Sequence, residues 1–360
     1  MNNTLKEFVY SITNSPLGNK ISTALGMERL HADLIVRHTK KMLLSDAKKE
    51  FKKESSLGNL DDYIQALKKH WVSYSEYAYQ YEFYKKSETE REEFVSRLRM
   101  SYFYWRYGPG VVRPLFCDKA LFLRTFDKYI HRKWLYVPDA TFEEFEHLIS
   151  NYDCIFKPCD GARGRGIFKV YKDGDHKDDR KLYDTCVRDK ILVEQCIESC
   201  KELKALHPQS LNTIRVVTVS NKEKACVFSG VLRTGVGESV IDNSHAGGVS
   251  AQINIKDGIV ESDGVDKYGN RFNVHPDSGI SILGFKIPKW DMIVETCCDV
   301  AKQVGNPITG WDVVINSQGD VEFIEGNHTP DLDIMQSRYK RGIKKQLYAL
   351  IKEYYGVELK

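Results

Sequence analysis

The sequence predicts an α+β fold, with a helical N-terminal region followed by a body of largely antiparallel sheet. Three observations predict it. Residues 1–98 carry helical apolar spacing in a background rich in Lys, Glu, Ala and Leu. Beyond residue 150, short β-branched and aromatic runs alternate with Gly, Asp and Asn turns. The chain has 360 residues, 42% hydrophobic and 11% aromatic, enough for two or three subdomains with a large shared core.

Taken in order, residues 27–55 form one helix, and Asn59 opens another with Asp61 or Asp62 in its first turn. The tyrosines between Trp71 and Tyr84, with Tyr102–Tyr107, predict helices packed on the body; an aromatic platform for a sugar is the alternative. Lys40, Lys41 and Lys48–Lys53 read as a solvated basic face, and less readily as one attracted to an anionic membrane surface. Gly108–Gly110 and Arg113-Pro114 break the helical run. This sets expected domains of 1–110 (helical), 111–195 (first lobe) and 196–360 (second lobe). A short helix follows at Cys117–Phe126, and another at Pro138–Ile149 with Thr141 as N-cap. Strands are expected near 154–158, 167–171, 191–195, 213–219 and 226–233, with helices near 178–189, 290–304 and 340–355.

The chemistry concentrates in two separated segments. Trp311–Asn316 and Val321–Glu325 read as a hairpin around the turn Ser317–Asp320, so Asp312 and Glu325 fall near the same end of neighbouring strands. Residues two apart on a strand share a face, which aligns Asn327 with Glu325. Two carboxylates and an amide oxygen suit a hard cation such as magnesium, which prefers octahedral oxygen and retains water and phosphate ligands. Upstream, Ile155–Val170 reads as a strand carrying Lys157, a loop with Gly161, Ala162, Gly164, Arg165 and Gly166, then a second strand. Glycines let consecutive N–H groups converge on an anion. The loop is neither a dinucleotide fingerprint, because a strand follows, nor a Walker A loop, because no Gly-Lys-Ser/Thr follows. It is a flap able to close over a triphosphate, or otherwise a plain glycine hairpin.

Composition excludes several classes. A net charge of +3 gives no bulk case for nucleic acid. No apolar run is long enough to span a membrane, and the N-terminus lacks a signal-peptide pattern, so a cytoplasmic location is expected, with peripheral membrane association as an option. Nine scattered cysteines without a Cys-x-x-Cys pair indicate reduced thiols.

These residues together resemble the ATP-grasp superfamily of carboxylate–amine ligases over about residues 113–350. The resemblance is carried by Asp118-Lys119, Lys157-Pro158, the Gly161–Gly166 loop, Leu192–Ile197, Arg215, and Asp312 with Glu325 and Asn327. Pro208–Thr218, His245–Val249 and Gly284–Trp290 are most similar to the sugar-transfer-associated group, linked to surface polysaccharide synthesis. The resemblance implies an ATP-grasp fold, two α+β lobes gripping ATP. It implies Lys119 and Lys157 on ATP phosphates and Gly161–Gly166 as the mobile flap. Leu192–Ile197 would be the adenine hinge, with Glu194 accepting from the adenine amino group and the backbone of Gln195, Cys196 and Ile197 on the ring edge. Glu198 and Glu202 are both candidates for the ribose. Asp312, Glu325 and Asn327 would hold one or two magnesium ions.

Phosphoryl transfer needs positioning and charge neutralisation more than covalent help. Arg215, central on its strand, is the best candidate to stabilise the transferring group, and a structural ion pair is its alternative. His245, beside Gly247-Gly248, would orient substrate or accept a proton, or be structural. Asn212, Arg233 and Asp331 are further substrate candidates, and His275 lines the same cleft or shapes a turn. The leading reading is a ligase joining a small carboxylate to an amine. A phosphotransferase on the same cradle and a nucleotide-binding scaffold of a polysaccharide assembly are the alternatives.

Overall fold

The computed structural model describes residues 28–53, 57–108, 112–159, 166–240, 242 and 247–358. Two antiparallel sheets organise the body. The smaller has the order β1-β4-β2-β3, with β1 Trp134–Tyr136, β2 Cys154–Pro158, β3 Phe168–Val170 and β4 Ile191–Gln195. Its core joins Phe156, Cys154 and Val193 to Phe145, Leu148 and Ile149 of the Phe142–Asn151 helix. That helix starts where the sequence predicts: Thr141 accepts from the Glu144 amide, and Glu144 reaches back to the Thr141 amide. Such a capping box contributes about 1 kcal/mol.

The larger sheet has the order β11-β10-β5-β6-β7-β8-β9. Its long strands are β5 Ile214–Ser220, β6 Ala225–Thr234, β7 Val249–Ile253, β10 Ile308–Ile315 and β11 Val321–Asn327; β8 Gly264–Val265 and β9 Arg271–Phe272 are two residues each. Strand alternation gives it two apolar faces. Ile214 and Val216 join Ile293, Cys297, Val300 and Ala301 of the Trp290–Val304 helix. Val217 and Val219 face the other way, onto Met100 and Phe103 of the Arg97–Tyr107 helix and Leu347 and Ile351 of the Lys344–Tyr355 helix.

Four of the N-terminal tyrosines are packing residues, whereas Tyr79 is 41% exposed. Tyr63, Tyr74, Tyr77 and Tyr81 are buried in one cluster with Phe83 and Phe94, and none offers an open face for a sugar. Their hydroxyls find partners, as in Tyr77 to Asp62 at 2.7 Å and Tyr81 to the Val95 carbonyl at 3.1 Å. Trp71–Tyr84 is not one helix. Trp71 sits at φ 62°, and the segment continues as a five-residue π-turn, Glu76–Gln80, and a 3₁₀ turn. On the basic face, Lys40 lies over the Trp71 ring at 4.5 Å from its centroid.

Three more expectations change in detail. The Cys117–Phe126 helix is two, Arg113–Cys117 and Lys119–Thr125, separated by Asp118, which caps the second by accepting from the Leu121 amide. The closing helix begins at Lys344, after a separate Asp333–Tyr339 helix that Lys340 ends at φ 53°. Strands β7–β9 were not expected. No cysteine is in a disulfide, and no helix among the described residues is long and apolar enough to cross a membrane.

Candidate active site

A cleft of about 1190 Å³ separates the two sheets. From the smaller sheet it is lined by Lys157, Pro158, Leu192 and Glu194; from the larger by Arg215, Arg233, Ile324, Glu325 and Asn327; and Lys119 closes one side. Lys157 of the upstream segment and Glu325 and Asn327 of the C-terminal hairpin therefore line one space.

Hairpin β10–β11 places Asp312 directly opposite Glu325, and Gly310 opposite Asn327. The register slips by one residue after Asp312, so Val313 pairs with Phe323 and Ile324 is the extra residue. A bulge of this kind re-aims side chains beside a site. Next in the sheet, β5 sets Arg215 against Asp312. Arg215 forks the Asp312 carboxylate, with Nη2 at 2.8 Å from Oδ2, and Nη1 of Arg233 lies at 3.1 and 3.2 Å from its two oxygens. The ion-pair alternative for Arg215 is thus present, inside the cleft. Arg233 is 8% exposed, and its Nε has no hydrogen-bond partner.

Charge is unevenly distributed over this pair of acids. Desolvation works against ionising Asp312, but Arg215 and Arg233 outweigh it and hold the carboxyl well below its usual range. Glu325 has no ion-pair partner among the described residues. Its side chain is accessible from the cleft, yet desolvation by the walls and then the Asp312 charge push its pKa up to about 7. The Lys157 charge reaches Glu325 and opposes that shift. The oxygen-only set fits a hard divalent ion: two carboxylates crowd each other, and the Asn327 Oδ1 beside them accepts from the Thr329 amide at 2.9 Å. Binding through Asp312 requires Arg215 or Arg233 to share its oxygens.

A second network was not anticipated. Glu194 accepts from Lys157 Nζ at 2.7 Å and from Arg132 Nε at 2.5 Å. Arg132 also donates through Nη1 to Glu322 at 2.9 Å and to the Phe323 carbonyl at 2.8 Å. Arg132, Glu194 and Glu322 are all buried. Desolvation would raise the Glu194 pKa, but Arg132 and Lys157 hold it down at about 2. Lys157, Glu194, Arg132 and Glu322 thus tie β2 and β4 of one sheet to β11 of the other.

A family model described as sugar-transfer associated ATP-grasp matches residues 98–352. The chain belongs to this ATP-grasp family. No curated protein sequence matches it. Among solved structures it is similar to the ATP-grasp ligase PsnB complexed with minimal precursor (16% identity, 73% of this chain and 71% of that one, TM-score 0.42). It is also similar to a biotin carboxylase from Campylobacter jejuni (16% identity, 71% and 49%, TM-score 0.43) and to N5-carboxyaminoimidazole synthase from Aspergillus clavatus (12% identity, 66% and 51%, TM-score 0.37).

The remaining predicted residues of this ATP-grasp chain are placed as follows. Lys119 Nζ donates to the carbonyls of Pro158 and Cys159 at 3.2 and 3.4 Å, at the root of the glycine loop. Gly166 has φ 73°, and a Cβ there would meet Pro158 at 3.0 Å. Gly161, Ala162, Gly164, Arg165 and His245 lie outside the described residues. In the hinge, Glu194 is committed to Lys157 and Arg132. The Gln195 and Cys196 amides already donate to the carbonyls of Lys133 and Asp153. Of the three hinge amides, only that of Ile197 lacks a partner among the described residues. Glu198 pairs with Lys204 at 2.7 Å, and Glu202 is exposed on the Lys201–Leu206 helix; neither lines the cleft.

Three substrate candidates, Asn212, Gly247 and Gly248, do not line the cleft. Asn212 is fully buried at φ 54°, and its amide donates to the carbonyls of Leu203, His207 and Ser210. It builds a corner before β5, and Asn tolerates the left-handed conformation. Asn212→Ala strands those carbonyls, with an expected loss of about 2–3 kcal/mol by chemical denaturation and unchanged catalysis per folded molecule. Gly248 is needed for packing, because a Cβ there would lie 2.4 Å from the Asp242 carbonyl; Gly247 has φ 103°. His275 is buried and bonded to Thr234 and the Gly235 carbonyl, which is the turn-shaping role. Asp331 does line the cleft, 3.8 Å from Arg97. Sequence reasoning missed His328, which also lines it. Burial, then the Arg113 charge, lowers its pKa to about 4, so it is neutral at pH 7.

Proposed function

We propose that the chain is an ATP- and magnesium-dependent ligase that activates a carboxylate as an acyl phosphate and joins it to an amine, in sugar-conjugate or surface polysaccharide synthesis. The observation that carries this reading is the convergence of Lys119, Lys157, Glu325 and Asn327 on one cleft between two lobes, with Asp312 buried directly opposite Glu325. The sugar setting rests on the description of the matching family alone.

Lys119 and Lys157 would bind the phosphates of ATP. Lys157 is poised for this, since it has only to exchange one oxygen of Glu194 for a phosphate oxygen. Ile324, Leu192, Phe122 and Leu123 supply an apolar lining for the base. Asp312, Glu325 and Asn327 would hold magnesium, whose contribution is to neutralise phosphate charge. Arg233, with its unpartnered Nε, and Arg215 face the carboxylate and the transferring group. A substrate carboxylate oxygen attacks the γ-phosphorus and the bond to ADP breaks. The amine nitrogen then attacks the acyl carbon, phosphate leaves, and the amine gives up a proton.

Thermal unfolding with a non-hydrolysable ATP analogue, with and without magnesium, tests the site. At about 100 times its Kd the analogue should add roughly 2.7 kcal/mol, and only with magnesium present. No shift at millimolar analogue sinks the nucleotide reading. Once a substrate pair is found, ADP with stoichiometric free phosphate marks a ligase, whereas ADP without free phosphate marks a phosphotransferase.

A further inference from the structure

We propose that the cleft continues beyond the metal hairpin into an arm built to bind a phosphate-bearing substrate, a phosphate monoester or diphosphate, and that the helical N-terminal region is one wall of that arm. The proposal deepens the ligase reading and rests on it for which end of the cleft holds the reacting groups.

Past Arg233, the cleft is lined by Arg97, Lys267, Arg271, Arg338 and Lys340. Against these five cations stand two lining acids, Asp266 and Asp331, and Asp263 outside the lining, 3.9 Å from Arg271. Asp266 is absorbed by its own loop, accepting from the Tyr268 and Asn270 amides and the Asn270 side chain at 2.8–2.9 Å. Asp331 lies beside Arg97. The cations deepest in the arm are held by carbonyls rather than by carboxylates. Arg338 donates through Nη1 to Val265 at 2.6 Å, and Lys340 donates to Tyr79 and Gln80 at 3.0 and 2.9 Å. Carbonyl anchoring fixes the position of a cation without neutralising it, and that is how a protein keeps charge ready for an anion. Half-burial makes the arrangement costly unless an anion completes it.

The architecture explains the placement. The Asp333–Tyr339 helix is bracketed from two sides. On one side Tyr339 donates to Ser250 of β7, and Arg271 of β9 reaches the Arg338 carbonyl. On the other, Gln336 bonds both the amide and the carbonyl of Val95, and Lys340 reaches Tyr79 and Gln80. This helix therefore joins the short strands to the N-terminal region, and together they close the arm. A single carboxylate needs one guanidinium fork, whereas this surplus of positive charge matches a phosphate, which carries about −1.5 to −2 at neutral pH. Tyr268, 78% exposed at the rim, offers a ring face to whatever the phosphate is attached to.

The test is calorimetric titration of inorganic pyrophosphate, a hexose 1-phosphate, a nucleoside diphosphate and succinate into the full chain. Each is run with and without saturating ATP analogue and magnesium. The titrations are repeated in Arg338→Gln, in the exposed-site variant Arg271→Ala with Lys267→Ala, and in Lys119→Ala. The expected result, with the analogue bound, is phosphate binding weakened at least tenfold in both arm variants, with unchanged affinity for the analogue. Hexose phosphate bound better than the nucleotide assigns the source to a sugar phosphate, and the reverse assigns it to a nucleotide-linked substrate; either supports the arm. Equal phosphate affinity in wild type and arm variants, or succinate bound as tightly as the phosphates, overturns it. If the analogue fails to bind but phosphate still depends on Arg338, Arg271 and Lys267 and not on Lys119, the nucleotide reading falls and the arm stands. Should Arg338→Gln fail to fold, the exposed-site variant decides.

Discussion

At pH 8, Glu325→Gln is expected to remove magnesium-dependent stabilisation by an ATP analogue and to cut turnover by about 10²–10³-fold, while making the ligand-free protein more stable. The opposed effects follow from one geometry. Asp312 and Glu325 face each other across β10 and β11, and two arginines serve Asp312 while no ion pair among the described residues serves Glu325. The folded-state pKa of Glu325 lies near 7, above its ordinary 4.5, so the folded protein holds a proton that the unfolded chain has lost. Stability attributable to this group is therefore present at low pH and falls as pH rises from about 4.5 to about 7. The variant escapes that loss. After allowance for solvent screening in an accessible cleft, the gain above pH 7 is on the order of 1 kcal/mol. Thermal unfolding of both proteins between pH 4.5 and 8.5 checks it: the curves should nearly meet at the acid end and separate through pH 7. The same proton competes with the cation, so apparent magnesium affinity should weaken about tenfold per pH unit below 7. Parallel stability profiles would show that the acid pair is not coupled.

How much of this was visible in the sequence depended on whether the signal was local. The β10–β11 hairpin was legible because strand alternation and a short turn fix which residues oppose each other, and Asp312, Glu325 and Asn327 all lie within it. Lys119 and Lys157 were legible for a similar reason, since each sits beside a turn or cap that punctuates its element. Strands β8 and β9 were not, because Gly264–Val265 and Arg271–Phe272 have no periodicity; they exist through tertiary pairing with β7 and contact with the Asp333–Tyr339 helix. Asn212 misled because an Asn just before Thr213 and Ile214 looks like a polar group presented by a strand. It instead precedes the strand, and three carbonyls claim its amide. Glu194 misled in the opposite way: it lies on a strand where one was expected, Ile191–Gln195, but its partner is 62 residues upstream. Nothing around Arg132 announces that partnership, since His131-Arg132-Lys133 reads as a basic turn.

That arginine carries the second large effect. Arg132→Met is expected to cost about 3–5 kcal/mol, because it leaves two buried glutamates without the guanidinium they share, and only Glu194 keeps a lysine, Lys157. Glu194 and Glu322 are 3% and 0% exposed, so neither can recover water without opening the contact between the sheets. The sign of the pH dependence separates this from a simple packing loss. In the wild type, Glu194 has its pKa depressed to about 2, so the pair stabilises above about pH 4.5 and is lost as pH falls through 2. In the variant the carboxyls rise instead, and protonation relieves them, so the deficit should be larger at pH 8 than at pH 5. Denaturant unfolding at both values measures it, and an equal deficit would mean that Arg132 acts only as filler. A control follows from the same logic. Adding Glu322→Leu to Arg132→Met removes one stranded charge and should recover part of the loss, since an apolar replacement of both partners is tolerated where removal of one is not. Nucleotide affinity in that double variant should remain below wild type, because Lys157 is then the only cation left on Glu194 and is less free to turn toward a phosphate.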